Sequence, residues 1–111
     1  MKYILITLLF PIFIFASKPL GDVVKGQTYF QYIINPIIDI KGDKFTKKHT
    51  KKEWEELFSN DAKGFKEKYG SLNENFNSFL QTLKFEKIAS DLEAFFIYYA
   101  KDSDVKPQCG D

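Results

Sequence analysis

From Val23 to Tyr99 the apolar residues of this chain recur at three- and four-residue intervals, and no alternating stretch is longer than Gln31 to Ile33. A spacing of three and four lines up side chains on one face of a helix, whereas a half-buried strand demands a period of two. The fold class is therefore expected to be all-α. Val23, Phe30, Ile33, Ile34, Ile37 and Ile38 define a first helix that begins after Asp22. It is predicted to end or kink at Asn35-Pro36, because proline pushes the residue before it away from helical backbone. Asp39 to His49, with Gly42-Asp43 as a turn signal, reads as a lysine-rich loop.

Thr50-Lys51-Lys52-Glu53 is a capping box, in which the threonine oxygen takes an orphan helix amide and the glutamate reaches back; His49 and Trp54 stand where a hydrophobic staple would pack. That helix is predicted to run from Lys51 to about Phe58. Ser59-Asn60-Asp61 breaks it, and Asp61 is expected to cap a shorter helix that carries Phe65 and Tyr69 and stops at Gly70. Leu72, Phe76, Phe79, Leu80 and Leu83 form the next apolar stripe. Ser90-Asp91-Leu92-Glu93 repeats the capping-box pattern and predicts a last helix that buries Leu92, Phe95, Phe96 and Tyr99 and ends near Lys101. Residues 102–111, with Pro107, read as a loose tail.

The amino terminus differs from all of this. Met1-Lys2 is followed by an uncharged, apolar run from Tyr3 to Ser17, and polarity returns at Lys18. A short positive segment, an apolar stretch and small residues at its end make residues 1–16 an export signal, with cleavage expected after Ala16. An uncleaved anchor is the alternative, although the run is short of the ~20 residues that span a bilayer. The remainder, from residue 17, has room for one domain and one core, here placed over residues 17–101. Localisation is expected to be periplasmic or secreted, with no stable membrane insertion after cleavage.

Lysines and acids nearly balance, giving a formal net charge of +1 for the whole chain. Nucleic-acid binding calls for a basic excess that is absent here. Small exported domains often rely on disulfides, yet the only cysteine is Cys109, so no internal disulfide can form and stability has to come from packing. Tyr29, Phe30, Tyr32, Trp54, Phe58, Phe65, Phe76, Phe79, Phe85, Phe95, Phe96, Tyr98 and Tyr99 supply the area for it. Cys109 itself is either a thiol for an intermolecular disulfide or an exposed thiol without a role.

Catalytic chemistry finds little to use. His49 is the only histidine, without the second ligand or cysteine pair of a zinc site and without a Gly-x-Ser-x-Gly nucleophile turn. It serves either as a packing residue at the start of its helix or as a cofactor ligand. Glu53, Glu55 and Glu56 suit a helix amino terminus, where they counter the dipole, better than an acid/base pair. The chain is expected not to be an enzyme. Lys41, Lys44, Lys47, Lys48, Lys51 and Lys52 form a local basic cluster, read either as a docking face for an acidic partner or anionic lipid or as a solvated loop.

The order of these elements resembles a class I cytochrome c. Gly26 and Phe30 in the first helix, with Phe96 and Tyr99 in the last, match that family's glycine-aromatic pairing of terminal helices. Lys48-His49-Thr50-Lys51-Lys52-Glu53-Trp54 is similar to the His-Thr-x-x-Glu-Trp segment of small exported cytochrome-c-like proteins of bacterial respiratory chains. Tyr98-Tyr99-Ala100-Lys101-Asp102-Ser103 is similar to their endings. The resemblance covers residues 22–109 and implies a small bundle of four to five helices with crossed N- and C-terminal helices.

Where the family carries Cys-x-x-Cys-His, this chain reads Ile34-Asn35-Pro36-Ile37-Ile38, and Met1 is its only methionine. Thioether attachment of haem and an axial methionine are thus excluded. The resemblance then implies a relative without covalent haem, its vacated space filled by Ile34, Ile37 and Ile38, acting as an accessory or binding partner of respiratory or redox proteins. The alternative is an electron-transfer protein that holds haem noncovalently through His49.

Overall fold

The computed structural model describes residues 21–105, which are mostly helical and contain no strand. Residues 1–16, expected to be an export signal, and Cys109 lie outside the described residues. In order the elements are α1 (Val23–Tyr29), a π-helical stretch (Phe30–Ile34), α2 (Asn35–Ile38), α3 (Gly42–Phe45), a 3-10 turn (Thr46–Lys48), α4 (Lys51–Gly70), α5 (Glu74–Leu80) and α6 (Leu83–Tyr98). Among the described residues no helix is long and apolar enough to cross a membrane.

The first helical run does not stop at Asn35-Pro36. Its hydrogen bonding widens instead, with the Asn35 amide reaching back to the Phe30 carbonyl, and Pro36 takes a place in the first turn of α2. A proline ring collides with the carbonyl four residues earlier in a regular α-helix, and a π-turn before it relieves that collision. The run ends at Asp39, whose left-handed backbone (φ 58°) closes α2.

The predicted loop 39–49 also proves to be structured. Phe45 and Thr46 are fully buried within it, so α3 and the 3-10 turn are pinned by an aromatic anchor and not left as a solvated strand of lysines. Phe45 lies 5.1–5.6 Å, ring centroid to centroid, from Phe30, Trp54, Tyr69 and Phe96. The Trp54 indole donates to the Thr46 carbonyl at 3.0 Å.

The Thr50 capping box is present in full: Thr50 Oγ1 accepts from the Glu53 amide (3.2 Å) and Glu53 Oε1 from the Thr50 amide (2.9 Å). The Ser90 box is not. α6 begins eight residues earlier than that box predicts, capped by Thr82, whose hydroxyl accepts from the Phe85 amide at 3.2 Å. Ser90 and Asp91 therefore sit in mid-helix, and Asp91 caps something else, its carboxylate accepting from the Asp22 amide at 2.8 Å. The stripe Leu72 to Leu83 is split by the same correction. Phe76 and Leu80 are buried, while Leu72, in the turn between α4 and α5, and Leu83, at the start of α6, are 50% and 71% exposed. Tyr32 and Tyr98, expected in the core, are also exposed.

The first and last helices pack face to face. A Cβ at Gly26 would run into the Asp91 carbonyl and lie 2.8 Å from Phe95 Cβ, so only glycine permits this approach. One turn on, Phe30 meets Phe95 and Phe96 with centroids 5.9 Å apart. Of the tail expected from Asp102, the part within the described residues is tied down. Asp102 accepts from the Lys51 amide at 3.0 Å, and the Ser103 hydroxyl donates to the Tyr98 carbonyl at 2.7 Å.

Candidate functional site

His49 stands between the 3-10 turn and α4 in extended backbone (φ -139°, ψ 157°). Its ring meets Trp54 edge-on at 4.7 Å, which makes the staple inferred from the capping box. Nε2 is 2.6 Å from the Tyr69 hydroxyl, and Nδ1 faces Glu53 Oε1 at 3.7 Å. The carbonyl of His49 accepts from the Lys101 amide at 2.9 Å. The geometry is satisfied by a neutral ring whose Nδ1–H faces Glu53 while Nε2 accepts from Tyr69.

Electrostatics favours that state. Burial lowers the His49 pKa below its ordinary 6.5, and the attraction of Glu53 only partly offsets this. Burial pushes the Tyr69 phenol up to about 12, so it remains a proton donor. The bond it receives from the Thr50 amide holds Glu53 below the usual carboxylate range. Carboxylate, imidazole and phenol thus stand in a row, but the row ends inward. Tyr69 is 5% exposed and packs against Phe45 and Phe65 at 5.1 Å. A phenol with its pKa raised, closed off by rings, is neither an activated nucleophile nor a base within reach of a substrate. To bind a metal through Nε2, His49 would first have to give up Tyr69.

The lysines fare unequally. Lys47 Nζ donates to the carbonyls of Ala100 (3.1 Å) and Val105 (3.2 Å), so it closes the end of α6 and is withdrawn from any docking face. Lys41, Lys44, Lys48, Lys51 and Lys52 are exposed. None of these five ammonium groups takes part in an ion pair or hydrogen bond among the described residues. α3, the 3-10 turn and the first turn of α4 hold their backbones in place. Cys109 lies outside the described residues, so the thiol has no place in this geometry.

One feature escaped the sequence reading. Asn60, Asp61 and Ala62 all adopt left-handed backbone (φ 55°, 58° and 60°) where α4 is interrupted. Asp61 therefore belongs to the break and caps nothing after it. Against this turn, α6 forms a cleft of about 540 Å³ with Phe58 and Phe85 at its floor and Asp61, Glu86 and Glu93 among its polar groups. Lys66 leans over the Phe85 ring at 5.8 Å from its centroid. Asn and Asp are the non-glycine residues that best tolerate left-handed backbone, which is the only sequence signal for this site. Nothing in the type of residue 62 signals it. Among the described residues no group of three or more His, Cys, Asp and Glu side chains is placed to hold a metal ion. Comparison with family models, with curated proteins and with solved structures finds no match.

Proposed function

We propose that this chain is a periplasmic or secreted helical domain of cytochrome-c-like build that carries no haem and works as a binding or accessory partner of respiratory or redox proteins, not as an enzyme. The observation that carries the reading is the core itself. Gly26 packs against Asp91 and Phe95, and Phe30 against Phe95 and Phe96; Gly26, Phe30 and Phe96 belong to the residue pattern on which the likeness rests, and its fourth member, Tyr99, packs on Phe95 at 5.5 Å. The space beside them is filled by side chains: Phe45, Trp54, Phe65 and Ile34 are all fully buried. Ile37 and Ile38 join them only at the margin of the core. A packed interior stabilises the fold without a cofactor.

Docking in this reading falls to Lys41, Lys44, Lys48, Lys51 and Lys52, which steer an acidic partner by long-range attraction and fix orientation more than affinity. Lys47 is excluded, since its ammonium is spent on the end of α6. Export follows from the apolar segment before Lys18, and the neutral balance of charge speaks against a nucleic-acid partner.

The test is an absorbance spectrum of the protein purified from the periplasm of a haem-replete host. Only aromatic absorbance is expected. A Soret band that disappears in His49→Ala would overturn the cofactor-free reading and put noncovalent haem, and electron transfer, in its place.

A further inference from the structure

On the side of α6 away from the cleft, Tyr29 of α1 and Leu83, Lys84, Lys87 and Ile88 of α6 line a groove of about 430 Å³. Its character is unlike that of the cleft. Leu83 is 71% exposed, an apolar side chain left in solvent at the first position of a helix. The charged groups in the lining are both lysines, and neither ammonium forms a hydrogen bond or ion pair among the described residues. The acids nearest in sequence are turned to other tasks: Glu86 lines the cleft, and Asp91 accepts from the Asp22 amide. Lys25, exposed and four residues before Tyr29, lies on the same face of α1 and adds a third positive charge.

Lys84 is also in the wrong place for stability. It occupies the second position of α6, where the positive end of the helix dipole disfavours a cation. A leucine in water, a lysine against the dipole and two unpaired ammonium groups all meet in one concave site. A ligand with an apolar body and a negative head would relieve all three.

We propose that this groove binds a single-chain anionic amphiphile, of which a fatty-acyl carboxylate is the simplest member. The chain lies along Leu83, Ile88 and the Tyr29 ring, and the carboxylate rests between the ammonium groups of Lys84 and Lys87. Long lysine stems cover the apolar chain while their charged ends meet the head group. The site is independent of the proposed redox docking face, which lies on other elements.

Laurate, titrated below its micelle-forming concentration into the isotope-labelled protein, is the probe. Saturable amide shifts are expected at Tyr29 and along Leu83 to Ile88. Butyrate, which has the charge without the chain, and dodecyl maltoside, which has the chain without the charge, should each bind at least tenfold more weakly. The double variant Lys84→Glu, Lys87→Glu should lose at least tenfold in laurate affinity while its thermal midpoint stays level or rises, since an acidic side chain suits a helix start. That opposite movement separates loss of a site from loss of fold. The inference is overturned if butyrate or dodecyl maltoside binds as well as laurate, if the shifts fall elsewhere or do not occur, or if the double variant binds unchanged.

Discussion

The first two turns of α4 and the interruption in its middle lie within one element, yet they are held in opposite ways. At Thr50 the helix start is capped twice, stapled by His49 against Trp54 and latched to the chain end through the Lys51 amide. At Ser59–Ala62 three successive residues hold left-handed backbone beside an open cleft. Each such residue costs an L-amino acid about 1–2 kcal/mol. The first region is stable because its interactions agree with one another. The second persists because Phe58 and Phe65 on either side of it are locked in the same core, their rings 4.7 Å apart, and the short link between them has no relaxed path.

The sharpest way to break this contrast is at the hub. Trp54 is fully buried among Phe45, His49 and Phe96. Trp54→Ala should cost about 3–5 kcal/mol, the usual range for emptying a large aromatic site, read as a lower urea midpoint or as failure to fold. A smaller effect of the opposite sign is expected beside it. Thr46 Oγ1 is buried without a hydrogen-bond partner among the described residues. Thr46→Val removes that hydroxyl at nearly constant shape and should raise stability by about 1–2 kcal/mol.

The turn should respond to relief of backbone strain and not to packing. Asp61 is exposed at φ 58°, so Asp61→Gly should gain about 0.5–1 kcal/mol in chemical denaturation, the residue of a larger strain relief after glycine's greater freedom in the unfolded chain is subtracted. A loss of stability in this variant would mean that the carboxylate makes a contribution greater than the strain.

The finest distinction is in pH. His49 has a lowered pKa, so the unfolded chain takes up its proton first. The stability that depends on the neutral ring is complete above pH 6.5 and declines as the pH falls below that value. Glu53 acts in the same direction at lower pH, its depressed pKa giving stability that is lost as its carboxylate is protonated. Urea midpoints at pH 7.5 and pH 5.5 should therefore differ more in the parent chain than in His49→Gln. Equal differences in the two would show that His49 is not the titrating group.

Local chemistry was legible in the sequence where it was self-contained. The Thr50 box and the break after Phe58 each depend on residues a few positions apart. What the sequence concealed depends on distant partners. Ser90-Asp91-Leu92-Glu93 has every residue of a capping box, yet Thr82 starts the helix earlier and the Asp22 amide claims Asp91 from another element. Lys47 looks like its five neighbours until the carbonyls of Ala100 and Val105 reach it. Phe45 reads as part of a polar loop because its five ring neighbours come from the π-helical stretch, both halves of α4 and α6. The break at Asn60-Asp61 was legible but the cleft beside it was not, since the facing wall comes from α6.

The pairing of α1 with α6 bears on the order in which the protein can be made. Phe30 has Phe45 beside it early, but its contacts with Phe95 and Phe96 wait for α6, and Lys47 and His49 wait for Ala100 and Lys101. A chain leaving the ribosome therefore cannot close this core before α6 has emerged, and α1 remains without its main partner until then. Such contacts between distant positions slow folding by the cost of closing a long loop.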